Sequence, residues 1–332
     1  MRFRYLLPLA FLLACTSAED RAAKQRIFSP EDPPRVLLAA QEVLEPEALH
    51  RRPAMAERIL SISAREAAFR VGPHRQDVTV RFTWKRGERK ITLEETRMVA
   101  VDPGGDFHVR VENDQLQGME WIRLGGISYA RSRYAPFRER RRDRGSSEHV
   151  LEEAYRALPT FWNLVHGALK FSEPVAEKLG DREVYRYDVA LGDPIRSPKD
   201  ESLPPVLFPK DGPDEDTRLR LRAAEEGRAK AVSGRLWVDR GSSVPLRAEL
   251  SATVEVPDEE EPARLDFSLR LTTSKIGESL GIEVPDHLED APRPPGPVAT
   301  LEAYGLWRGK ETEPEAETEP DSGANEGGSA PR

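Results

Sequence analysis

The strictest constraint in this chain is an alternation of period two. Val244, Leu246, Ala248, Leu250, Ala252, Val254 and Val256 take every second position from 244 to 256, with Arg247, Glu249, Ser251, Thr253 and Glu255 among the residues between them. A helix would spread these side chains around its axis, whereas a strand collects them on one face. The segment therefore predicts a strand buried on one side. Val78, Val80, Phe82 and Trp84 repeat the pattern, and so do Phe107, Val109 and Val111, and Leu265, Phe267, Leu269 and Leu271. Arg86-Gly87-Glu88, Asp102-Pro103-Gly104-Gly105, Asn113-Asp114 and Gly125-Gly126 supply turn residues between the early strands, so residues 78–134 read as a five-stranded antiparallel meander.

Helical spacing brackets this meander. Met55, Ile59, Ile62 and Phe69 predict an amphipathic stripe before it. Val150, Leu151, Ala154, Leu158, Phe161, Trp162, Val165 and Leu169 predict a helix over about 148–170, capped by Ser146 or Ser147 and interrupted at Pro159. Strands return at 183–191, 233–239, 244–256 and 265–271. Segregated helices and strands predict an α+β fold with an antiparallel sheet. Its apolar face must be covered by helices, by its own curvature or by a ligand.

The N-terminus reads as an export signal. Arg2 and Arg4 precede a ten-residue apolar run, Tyr5–Ala14, too short to span a bilayer. Cys15, the single cysteine, follows it. One cysteine excludes an internal disulfide and any multi-cysteine metal site. Residues 1–14 are thus expected to be a signal peptide, 15–35 a tether, 36–310 one domain with a proline-rich insertion at 193–217, and 311–332 a disordered acidic tail. The tail has no large apolar residue to offset its ordering entropy. With 58 acids against 50 bases, global charge gives no reason to expect nucleic-acid binding.

Leu12-Leu13-Ala14-Cys15 resembles the lipobox of bacterial lipoproteins. The resemblance implies that Cys15 receives diacylglycerol and further acylation (palmitate, for example) and becomes the mature N-terminus. It places the chain in the cell envelope, anchored by lipid and facing the periplasm. The alternative is an ordinary secretory signal with an incidental cysteine. Thr16 follows Cys15 where an aspartate would favour inner-membrane retention, so the outer membrane is slightly favoured.

The order of elements, with Gly234-Arg235-Leu236-Trp237-Val238-Asp239, Val244-Pro245-Leu246-Arg247 and Ile282-Glu283-Val284-Pro285, is similar to the LolA-like superfamily. That superfamily includes the LolA and LolB carriers, the LppX and LprG lipoproteins and the RseB sensor domain. The resemblance implies a curved antiparallel sheet forming an unclosed half β-barrel covered by helices. Its concave apolar face would bind or carry a lipid or acylated ligand. Phe82, Trp84, Phe107, Trp237, Leu246, Leu250, Phe267 and Leu269 are the expected lining of such a groove. The alternative is that these side chains fill a closed core, leaving a non-catalytic envelope sensor or scaffold that binds a protein partner.

Arg131, Arg133, Arg138, Arg140, Arg141, Arg142 and Arg144 interleave with Tyr134 and Phe137. In an exported lipoprotein this predicts contact with anionic headgroups, lipopolysaccharide or an acidic partner, against the alternative of a solvated loop neutralising nearby acids, the tail included. HExxH, GxSxG and phosphate-binding glycine loops are absent, and the histidines show no metal-ligand spacing. No enzyme activity, cofactor or metal is expected.

Overall fold

Each period-two run becomes a strand in the computed structural model, which describes residues 39–140, 145–195, 222–223, 225–257 and 262–289. These belong to a compact unit ending at Glu289; residues 290–332 lie outside the described residues. Cys15, the tether, Arg141, Arg142, Arg144, most of the insertion and the acidic tail also lie outside them.

A 3-10 turn at Pro46–Ala48 precedes helices α1 (Pro53–Leu60) and α2 (Ala64–Val71). The meander follows: β1 (His74–Arg86), β2 (Arg89–Val101), β3 (Phe107–Asn113), β4 (Gly118–Leu124), β5 (Ile127–Ser132) and β6 (Phe137–Arg140). Helices α3 (Ser146–Tyr155) and α4 (Ala157–Leu164) lead to β7 (Leu169–Phe171), β8 (Val175–Leu179) and β9 (Arg182–Leu191). After the insertion come β10 (Arg228–Asp239), β11 (Pro245–Val256), β12 (Ala263–Ser274) and β13 (Leu288–Glu289). Among the described residues all thirteen strands join one unclosed sheet, ordered β13-β6-β5-β4-β3-β2-β1-β12-β11-β10-β9-β7, with β8 also on β9. Every pairing is antiparallel except β13 on β6. The fold is α+β.

Local chemistry explains where the elements differ from the sequence reading. The first helical stripe is two helices, because Ser63 leaves helical geometry and its side chain accepts a hydrogen bond from Glu66 N. Phe69 consequently points outward and is 40% exposed. The second predicted helix breaks at Arg156, not at Pro159. Pro159 falls in the first turn of α4, where a missing N–H costs little. No serine side chain caps α3; Gly145, at φ 82°, occupies that position. Leu169 belongs to β7, and β6 extends the meander to six strands.

One face of the sheet carries the core. The Phe82↔Phe267↔Ala252 and Val80↔Leu269↔Leu250 registers align the apolar rows of β1, β12 and β11. Helix α3 packs on β2, β3 and β4, and α1 packs on α4. Gly234 on β10 lies opposite Leu250, and a Cβ there would sit 2.0 Å from Glu249 O. Its glycine is thus a packing requirement of the β10–β11 pair.

Candidate functional site

Seven of the eight expected groove residues share the helix-covered face. Trp84, Phe107, Leu246, Leu250, Phe267 and Leu269 are all buried, and Phe82 is half-buried against them. The Phe82 and Phe267 rings meet edge to face at 4.9 Å, and Phe161 of α4 reaches Phe267 at 5.6 Å. Phe161 thus sits over the Phe82–Phe267 part of these rows. Between α1, α4 and β1 a cavity of about 10 Å³ remains, room for one water.

Trp237 is a correction to the expected lining. Its register partner is Arg247, on the outer face, whereas Leu236 pairs with Ala248 on the inner one. Trp237 Nε1 donates to Glu177 at 3.1 Å, and the Arg247 guanidinium lies 4.9 Å from the indole centroid. Leu236-Trp237-Val238 is a continuous apolar run, so periodicity within it does not assign a face.

The described arginines of the basic cluster are engaged within the domain. Arg131 pairs through Nε with Glu120 at 2.7 Å and lies 4.4 Å from the Phe137 centroid. Arg133 Nη1 donates to Asn113 O at 3.0 Å. Arg138 binds Glu289, and Arg140 lies over the Trp121 ring.

Glu120 is the centre of this region. Its side chain is 7% exposed and accepts from His108 Nε2 at 2.6 Å, Arg110 at 3.0 Å and Arg131. Burial pushes its pKa up, but the bonds from His108, Arg131 and Arg110 outweigh burial and hold it at about 2. A carboxyl depressed in the folded state stabilises the fold above its unfolded pKa. That stability should fade as pH drops from about 4.5 to about 2. The shift corresponds to at most about 3 kcal/mol, lessened by screening at the half-exposed Arg110. Acid unfolding followed by circular dichroism checks this. Glu120→Gln should flatten that limb, and an unchanged acid profile would count against the network.

A second buried polar group joins helix to sheet. His74 is fully buried, with Nδ1 3.0 Å from Gly72 O and Nε2 3.2 Å from the Tyr155 hydroxyl. Burial pushes the imidazole pKa down and the phenol pKa up, so both groups are held neutral. The pair bonds α3 to β1. His166 Nε2 donates to Gly227 O at 3.0 Å, a packing role. Among the described residues no group of His, Cys, Asp or Glu could hold a metal ion, and no helix is long and apolar enough to cross a membrane.

The larger depressions lie on the outer, polar face of the sheet. One of ≈ 460 Å³ is bordered by Arg81, Glu94, Glu249 and Arg270, and another of ≈ 390 Å³ by Thr83, Ser233, Thr253 and Asp266. The sequence carries no signal that groups these residues. Each occupies an ordinary polar position of an alternating strand, and only the sheet order brings them together.

No protein-family model matches the chain, and no curated protein does. Solved structures similar to it include a DUF1329 family protein from Desulfovibrio piger, at 11% identity, 70% coverage of this chain, 95% of that one and a TM-score of 0.20. The Pseudomonas aeruginosa MucA/MucB complex is similar at 14% identity over 69% of this chain, with a TM-score of 0.23; the match spans 61% of that chain. A putative outer membrane lipoprotein-sorting protein domain from Vibrio parahaemolyticus is similar at 12% identity, 63% and 87% coverage and a TM-score of 0.18. At these identities and TM-scores the similarities assign neither a superfamily to the chain nor a role to any of its residues.

Proposed function

We propose that this chain is a lipid-anchored envelope protein that acts as a non-catalytic sensor or scaffold for a protein partner. The observation that carries this reading is the filled inner face. Phe161 of α4 packs on Phe267, which packs on Phe82, and Leu250 and Leu269 are 4% and 2% exposed beneath the helices. An acyl chain bound there would have to displace these side chains. Each contributes about 1.5–3 kcal/mol by its own burial.

A partner must therefore be met on the exterior. The lipid anchor at Cys15, facing the periplasm, belongs to the same proposal and is supported by the arginine–apolar–cysteine order of the N-terminus. Mass spectrometry of organic extracts from the purified protein tests the reading, together with titration by a fluorescent fatty acid. The expected result is no stoichiometric bound lipid beyond the N-terminal modification, and no saturable probe binding. One acyl ligand per chain would replace the scaffold with a carrier.

A further inference from the structure

The outer face of the central sheet is laced with ion pairs. Lys85 and Arg264 bind Asp266, Arg247 binds Glu249, Lys230 binds Glu255, and Arg186 binds Asp188. Within this neutralised surface two exposed arginines, Arg81 on β1 and Arg270 on β12, make no hydrogen bond or ion pair among the described residues. The register places Arg81 beside Ser268 and Arg270 beside Thr79, so the two are diagonal neighbours, roughly 7–8 Å apart at the backbone. Glu249 stands directly across from Arg270 and feels its charge, but its carboxylate is hydrogen-bonded by Arg247 at 2.6 Å and makes no such bond to Arg270. Glu94 stands across from Arg81 without a bond to it. Like charges placed this close oppose each other, and an added anion would relieve the repulsion.

Both arginines border the ≈ 460 Å³ depression. It continues into the ≈ 390 Å³ depression, which shares Arg81, Ser251 and Ser268. The result is a trough running across the strands from β10 to β2. Its depth follows from side-chain length: short serines are flanked by the longer Arg270 and Glu249 on one side. Five adjacent strands span about 19 Å, the length of roughly five or six extended residues. The hydroxyls of Ser233, Ser251, Thr253 and Thr83 already bond within the sheet, whereas those of Thr79 and Ser268 make no hydrogen bond among the described residues and can serve a peptide backbone.

We infer that this trough binds an extended acidic peptide segment of a protein partner, with Arg81 and Arg270 receiving its carboxylates. The inference deepens the scaffold reading and rests on it. Bound lipid in the organic extracts would remove that reading, while peptide binding at the trough is measured separately.

The test is fluorescence anisotropy of a labelled decapeptide alternating Glu and Ser, with a Gln/Ser decapeptide as control, titrated with the full chain. The Glu peptide should bind and weaken with salt, and the Gln peptide should not. Arg81→Gln with Arg270→Gln should weaken binding about tenfold or more, without moving the thermal midpoint, since both side chains are exposed. Ser251→Tyr should block the trough with both arginines intact. Glu94→Gln should tighten binding by removing the carboxylate that competes for Arg81. Equal binding of the two peptides, or a double variant that binds like the wild type, would overturn the inference. So would phosphatidylglycerol vesicles that bind the chain through the same two arginines, which would assign the trough to headgroup phosphates.

Discussion

Leu250→Lys should abolish the cooperative fold. Leu250 is 4% exposed in the middle of β11, between Gly234 on β10 and Leu269 on β12. The substitution removes a packed apolar side chain, a loss of about 2–5 kcal/mol at buried leucines. It also buries an ammonium among described neighbours, Gly234 and Leu269, that offer no carboxylate, and such a lesion is among the few that exceed about 4 kcal/mol. Total stabilities lie near 5–15 kcal/mol, so the two effects together are enough to unfold a domain of this kind. The companion variant is Ser251→Lys, one residue further on and exposed on the other face. It should melt within a few degrees of wild type, because period two sends its side chain to water. Circular-dichroism melts of both variants check the pair. A folded Leu250→Lys protein would mean that solvent reaches the inner face, and the carrier reading would return.

Cys15→Ser should release the protein from membranes or leave it unprocessed. The apolar run before Cys15 is ten residues long, half of what a spanning helix needs. Membrane retention of the mature chain is therefore expected to come from lipid on the cysteine. Each buried methylene contributes about 0.8 kcal/mol, and stable anchoring takes two chains or a chain plus a basic patch. The thiol nucleophile is what the acyl-glyceryl transfer needs, and serine does not replace it. Detergent phase partitioning and the mass of the N-terminal peptide read the result. Unchanged processing and partition in the variant would remove the anchor from the proposed function.

Legibility varied with the range of the interaction. The strands centred on 78–84, 107–111, 244–256 and 265–271 were readable because a one-sided burial repeats every second residue, and the signal survives in a short window. The short β7, β8 and β13 were not, since two to five residues carry too few alternations. The helix break at Arg156 was misplaced to Pro159 because proline is a breaker only in a helix interior, and sequence does not reveal which residue starts the turn.

The candidate site divides the same way. Phe82, Leu246, Leu250, Phe267 and Leu269 were assigned to one inward face from alternation, and they share it. Trp237 was assigned to that face from a run with no alternation, and it lies on the other. Arg131 reads as part of a basic stretch that meets headgroups, an acidic partner or nearby acids, and Glu120 stands opposite it on the neighbouring strand. That pairing crosses a hairpin, and the bonds from His108 and Arg110 come from a third strand.

What the sequence determined by itself is the set of side chains that leave water: alternation and helical spacing are local properties of the chain, and burial follows from them once any sheet forms. What only the tertiary structure decided is what those side chains meet. The same apolar rows suit an open groove or a closed core, and the difference rests on whether Phe161 of α4 comes down onto Phe267 of β12 and, through it, Phe82 of β1. Likewise Arg81 and Arg270 are 189 positions apart by their numbering, and become neighbours only because β1 pairs with β12. Strand order is a long-range choice, set by the total area buried across the sheet, and no short stretch of sequence encodes it.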